Sequence, residues 1–185
     1  KIDSDQFSHI YSLSRGHPLI LELINRGNVA ETFHATLEAF VEKEIFSRLS
    51  APEKRLLGAI AVFREPVPTQ AIHQVEEEVD LLDELVEKGL ARQSDIENYD
   101  VHDLVREFLM RSMDNEMKYD LHSAAVNWYR GKKESAADRI EFIYHLRNSG
   151  DEEGLTEVLL TEGRGLVSSG HTELLSILNS LESGD

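Results

Sequence analysis

The segment Gly89 to Leu109, GLARQSDIENYDVHDLVREFL, decides how the chain is read. Leu90-Ala-Arg-Gln-Ser94 and Tyr99-Asp-Val101 are short strand-like runs around a polar turn, Asp95 to Asn98, which predicts a β-hairpin. Gly89 stands just before it, where a helix closed by a left-handed residue wants glycine. From His102 onward Leu104, Val105, Phe108 and Leu109 recur at helical spacing, so a helix runs to about Met113. A hairpin pinned between helices is the organising feature.

Upstream, Val79, Leu81, Leu82, Leu85 and Val86 form a helical stripe that ends at Gly89. Ser50-Ala-Pro-Glu53 is a capping box with proline in the first turn, and it opens a helix through Phe63. Arg64-Glu-Pro-Val-Pro68 breaks that helix, and a short one starts at Thr69 and ends near Val75. Three helices followed by a hairpin describe a winged helix. Before it, Thr36 to Leu49 carries apolar residues at 37, 40, 41, 45 and 46, and Phe7 to Ile24 reads as two short helices joined at Ser14-Arg-Gly-His-Pro18. Downstream the pattern is all helix: Tyr119 to Tyr129, Ala136 to Asn148, Glu152 to Leu160, and Leu166 to Leu181 in one or two pieces. Gly150-Asp151 and Gly170-His171 punctuate it as in stacked helical hairpins, and Gly165 to Gly170 reads as a loop between helices. The expectation is a mainly α fold in three parts: the end of a helical lid at 1–35, a winged helix at 36–113, and a TPR-like helical segment at 114–185.

Composition limits what such a chain does. With 35 acidic against 19 basic residues the formal charge is −16, and a surface this acidic repels the phosphates that nucleic-acid binding must neutralise. The segment EEEVDLLDELVEK, Glu76 to Lys88, sets seven carboxylates against one lysine where a winged helix would read DNA. Nucleic acid is therefore an unfavoured partner, although Arg92, Arg106, Arg111, Lys132 and Lys133 would supply a basic face if the fold gathered them. No apolar run reaches the roughly 20 residues of a membrane span. Cysteine is absent, which removes disulfides and thiolate metal sites and makes the cytoplasm the default location. The chain starts at Lys1 with no signal-like segment and reads as a piece of something longer.

Catalytic motifs do not form. The one approach to a phosphate-binding P-loop, Gly131-Lys132, has Val126 in place of the first glycine and Lys133 in place of the hydroxyl. Gly165 to Gly170 misses the spacing of a nucleophilic serine elbow. The eight histidines are scattered singly, and none pairs with another at the helical spacing of a metal site. No metal is expected, and the chain by itself is not expected to be an enzyme.

The order of motifs carries a resemblance. Ser14-Arg-Gly-His-Pro-Leu-Ile-Leu-Glu-Leu-Ile24, then the hairpin-bearing unit, then Tyr99-Asp-Val-His-Asp-Leu-Val-Arg-Glu-Phe-Leu109 resembles the back half of the nucleotide-binding module of STAND ATPases. This class of signal-transduction ATPases with numerous domains includes the NB-ARC switches and the maltose-regulator type of activator. Trp128-Tyr129, Ile143-Tyr-His-Leu146 and Gly150-Asp151 to Leu181 are similar to the helical repeats that follow that module in the maltose-regulator group.

The resemblance implies a nucleotide switch. Gly16, His17 and Pro18 would lie on the adenine side of ADP or ATP, His102 would meet the β-phosphate, and Asp103 would steady the turn. A P-loop domain upstream in the same chain would hold the nucleotide and its magnesium, and the repeats would take the signal to a protein partner or a second copy. Val101 stands where some relatives carry methionine, a change between apolar residues. Local chemistry leaves blander roles open at each position. Asp103 would cap a helix with His102 beside it, Gly16-His17-Pro18 would be a plain turn, and Trp128, Tyr129, Tyr144 and Leu146 would be core between helices instead of a partner groove. Two rival functions also stand: a DNA-binding winged-helix regulator, and a protein-interaction scaffold with no nucleotide role.

Overall fold

The computed structural model describes residue 42, residues 46–77, 79–132 and 135–172, and residues 174, 175 and 177. The expected lid at 1–35, with Gly16, His17 and Pro18, lies outside the described residues. So do most of the predicted helix at 36–49, Lys133, and the end of the predicted helix at 166–181.

A 3₁₀ turn at Phe46–Arg48 leads to α1 (Ala51–Ala61). The Ser50 backbone N–H donates to Glu53 Oε2 at 2.7 Å while the Glu53 N–H donates to Ser50 Oγ at 3.4 Å, which is the reciprocal box read from the sequence. Leu56 to Phe63 is buried without interruption, so α1 is the central helix and not a one-sided surface one. Around it lie β1 (Val67–Pro68), α2 (Thr69–Val75), a 3₁₀ turn at Val79–Leu81, α3 (Leu82–Glu87), β2 (Ala91–Gln93), β3 (Asn98–Val101) and α4 (Asp103–Ser112). Gly89 closes α3 with φ 71°, and Leu90 N–H reaches back to the Leu85 carbonyl at 3.0 Å.

The hairpin is tied at its tip by Asp95, whose Oδ1 accepts from the backbone N–H groups of Glu97 and Asn98 at 3.0 and 2.9 Å. Its strands pair antiparallel, with Arg92 opposite Asp100. A strand that the sequence reading does not anticipate, β1, joins the far side of β3 and makes a three-stranded sheet, β1-β3-β2. Pro68 is tolerated there because β1 is an edge.

The remaining chain is helical: α5 (Asn115–Arg130), α6 (Ala136–Asn148), α7 (Glu152–Val158), a π-helical turn at Leu159–Gly163, and α8 (Arg164–Ser168). Asp114, Ser135 and Asp151 each cap the next helix by accepting a backbone N–H, from Met117, Asp138 and Gly154 respectively. The stretch 165–170 differs from expectation. The helix continues through Gly163 and Gly165 by way of the π turn and stops only at Gly170, φ 89°. Arg139 of α6 explains this, because its guanidinium forks onto Glu162 inside the π turn while lying over the Phe142 ring at 4.9 Å.

Asp114 marks a change of direction and not a gap in packing. One hydrophobic cluster runs from Phe46 to Ile177 across it. Gly58 of α1 permits this closeness: a β-carbon there would stand 2.8 Å from Met113 Sδ and 3.2 Å from Leu121 Cδ1.

Candidate functional site

The junction between β3 and α4 positions the residues singled out at the opening. His102 occupies the N-cap position with extended backbone, φ −62° and ψ 141°, and is half-buried. Its carbonyl accepts from Arg106 N–H at 2.9 Å, the first bond of the helix. Asp103 is the first helical residue and is exposed, so it does not cap α4, contrary to the local alternative raised above. The His102 side chain itself makes no cap hydrogen bond to this helix.

Asp100, two residues earlier, fixes the junction. It is 5% exposed, and its carboxylate accepts from Arg106 at 2.6 Å, from Arg92 across the hairpin, and from Val101 N–H at 2.8 Å. Arg106 also donates to the Ala61 carbonyl at 2.7 Å. One guanidinium thus joins the hairpin, α4 and the end of α1. It braces the chain on either side of His102, whose side chain is half-buried with Nδ1 shut away from solvent.

The basic face imagined for DNA is not assembled among the described residues. Arg92 and Arg106 share Asp100, Arg111 pairs with Glu107 at 2.8 Å, and Lys132 lies over the Trp128 ring at 3.9 Å. Glu77, Asp80, Asp83, Glu84 and Glu87 are exposed along the Val79–Leu81 turn and α3. Lys88 is drawn onto the buried Glu53, whose carboxyl it holds down at about 2. Arg55 pairs with Glu76.

The aromatic residues of the tail are core in part. Tyr129 and Leu146 are buried, whereas Trp128 and Tyr144 are half-buried, Tyr144 beneath the Arg64 guanidinium at 4.4 Å. Arg64 also pairs with Glu141 at 2.6 Å.

The reading of the histidines as single needs correction. His122 of α5 and His145 of α6, 23 residues apart, meet in the interior with their Nδ1 atoms 2.9 Å apart. Phe63 at the end of α1 meets His145 edge-on at 5.2 Å, and Tyr129 stacks on it at 5.4 Å. Burial, with the Lys118 charge adding, pushes His122 down to about 4. Burial, then His122 and Arg64, holds His145 well below the ordinary range. Both residues sit at core positions of their helical patterns, one turn from Val126 and Phe142 respectively, and that was the available signal.

Among the described residues no cluster of three or more histidine, aspartate or glutamate side chains could hold a metal, and no helix is long and apolar enough to cross a membrane. A shallow depression lies far along the chain from His102, lined by Leu159, Gly163, Arg164, Val167, Ser168 and Leu174.

With this geometry in view, comparison with solved structures is informative. The fold has a counterpart. It is found in a signal transduction ATPase with numerous domains (STAND) that carries a tetratricopeptide repeat sensor, from Pyrococcus horikoshii, with a TM-score of 0.69 and 24% identity over 99% of this chain. The match occupies 28% of that longer protein. No family model matches the chain, and no curated protein matches it. The likeness establishes a shared mainly helical fold with the STAND protein.

Proposed function

We propose that this chain is a regulatory portion of a STAND-type ATPase, comprising the end of a lid, a winged helix (46–113 among the described residues) and the first hairpins of a TPR-like array. The observation that carries the proposal is the fold shared over 99% of the chain with a STAND protein bearing a repeat sensor. Three helices, a hairpin and the edge strand β1 fit a winged helix, and the packing of α5 on α6 and of α6 on α7 fits stacked repeats.

In this reading a P-loop domain elsewhere in the protein binds ADP or ATP with magnesium, and this chain supplies one wall. His102 approaches the phosphates from the N-terminal end of α4, where N–H groups and an imidazole both favour an anion. Asp103 borders it, and Gly16, His17 and Pro18 lie toward the adenine. Loss of the γ-phosphate favours the closed arrangement, while exchange releases the winged helix and moves the repeats toward a protein partner or another copy. The chain alone hydrolyses nothing, works in the cytoplasm, and avoids DNA because α3 offers carboxylates where a reading helix needs cations.

The test uses a protein that includes the P-loop domain. His102→Ala weakens ADP retention about tenfold, a 1.4 kcal/mol loss of the size expected for one charge-assisted contact, and leaves the melting temperature in place. Unchanged ADP affinity would remove the nucleotide role and favour a scaffold. Salt-sensitive retardation of duplex DNA by this chain would favour the DNA regulator.

A further inference from the structure

The interior pair His122 and His145 has no part in the nucleotide reading, and its surroundings are unusual. The rings are 1% and 0% exposed, their Nδ1 atoms are 2.9 Å apart, and His145 Nε2 is buried with no hydrogen-bond partner. A contact of that length has room for one proton, so one histidine donates and the other accepts, and burial of both rings favours the neutral pair. The tautomer that strands no N–H among the rings has His145 Nδ1–H donating to His122 Nδ1, with His145 Nε2 left as a bare lone pair.

A second proton has two entries, and both are costly. On His145 Nε2 it creates an imidazolium whose N–H finds no acceptor among Phe63, Tyr129 and Tyr144. On His122 Nδ1 it sets two N–H groups head-on and parts α5 from α6.

The neighbouring charges do not rescue the cation. Lys118 precedes His122 by one turn of α5, and Arg64 from the α1–β1 connection acts on His145. Glu141, one turn before His145, is occupied by Arg64. Arg139 of α6 is committed to Glu162, and Arg147 donates to the Ile177 carbonyl. Tyr129 and Tyr144 are held neutral by burial. Of the elements packed on this pair of helices, α2 brings only His73, and α7 brings Glu152, Glu153 and Glu157, all exposed.

We propose that His122 and His145 form a proton-operated latch: protonation undoes the contact between α5 and α6 and, through Phe63 and Tyr129, loosens these helices from the end of α1. The sign follows from burial. His122 titrates at about 4 when latched and near 6.5 when open, so the latch is complete above pH 6.5 and weakens as the pH falls toward 4. From those two values His122 alone raises the open-to-latched ratio about thirtyfold between pH 7.5 and pH 5.

Hydrogen exchange of the 185-residue chain at pH 7.5 and 5, corrected for intrinsic rates, tests the latch. Segments of α5 and α6 should open about thirtyfold more at pH 5 while those of α1 and β3 keep their protection. The double variant His122→Leu/His145→Phe, which removes donor and acceptor together, should lose the response. Constant opening across this range, loss of protection everywhere at once, or a double variant that responds like the parent would each overturn the latch. Should the double variant not fold, imidazole nitrogen resonances of the parent decide. Histidines titrating near 6.5 with α5 and α6 still protected would refute it, and titration in step with their opening would support it.

Discussion

Replacing Arg106 by methionine removes two bonds and little volume. The variant loses the 2.6 Å charge-assisted contact with Asp100 and the 2.7 Å donation to the Ala61 carbonyl, and both acceptors are buried. Asp100 keeps only Val101 N–H and Arg92, whose side chain is 55% exposed against 19% for Arg106. Both bonds come from the guanidinium and are charge-assisted, worth about 1.5–3 kcal/mol each, so even at the lower value Arg106→Met should destabilise by about 3 kcal/mol. At about 2–4 °C per kcal/mol for a chain this long, the melting temperature should fall by about 6–12 °C. Arg92→Met withdraws a charge from the same carboxylate but from the solvent side, where an ion pair is worth about 0–1 kcal/mol. Urea titrations followed by circular dichroism and by the single tryptophan, Trp128, would measure both. If the two variants lose equal stability, within about 0.5 kcal/mol, the claim that burial decides the strength of this clamp is wrong.

Phe63→Ala, which empties the space beside Tyr129 and His145, should cost about 3–5 kcal/mol in the same titrations. Ser50→Ala opens the capping box of α1 and should cost about 1 kcal/mol. Gly58→Ala should destabilise by about 1–2 kcal/mol despite the better helix propensity, because Met113 and Leu121 must both give way; a gain in melting temperature would contradict the contact. Glu53 titrates at about 2 when folded and 4.5 otherwise, so its contribution is full above pH 4.5 and is lost as the pH falls toward 2. Lys88→Met should raise that titration, visible as a higher carboxyl midpoint by NMR and an earlier acid transition.

Much of the fold is legible because local chemistry and tertiary packing agree. Ser50 with Glu53, Gly89, and the Asp95 turn each satisfy backbone groups within a few residues, so the sequence signals hold in the structure. Residues Ala136–Asn148 form a helix with the expected bounds, set by Ser135 at one end and Gly150 at the other. Strand β1 was invisible because its two residues, Val67 and Pro68, directly follow another proline, show no alternation, and pair with a strand some thirty positions later. Gly165 to Gly170 suggested a loop, but the helix runs on through Gly165 to Ser168 beside the fork from Arg139 to Glu162, which outweighs the weak helix propensity of glycine. The contact between His122 and His145 had no local spacing to announce it, since it joins neighbouring helices. Of the candidate site, His102 could be named in advance, whereas the clamp at Asp100 two residues before it required the fold.

The π turn at Leu159–Gly163 has a geometric consequence for whatever comes later in the polypeptide. A wide turn inserts one extra residue, and each residue of an α-helix advances the azimuth by about 100°. Deleting a single residue from that turn would therefore swing Arg164–Ser168 about a quarter-turn around its axis and re-aim the turn at Gly170. Curvature of a helical array can be set in this way by one surplus amino acid inside a helix, with the connecting loops left unchanged.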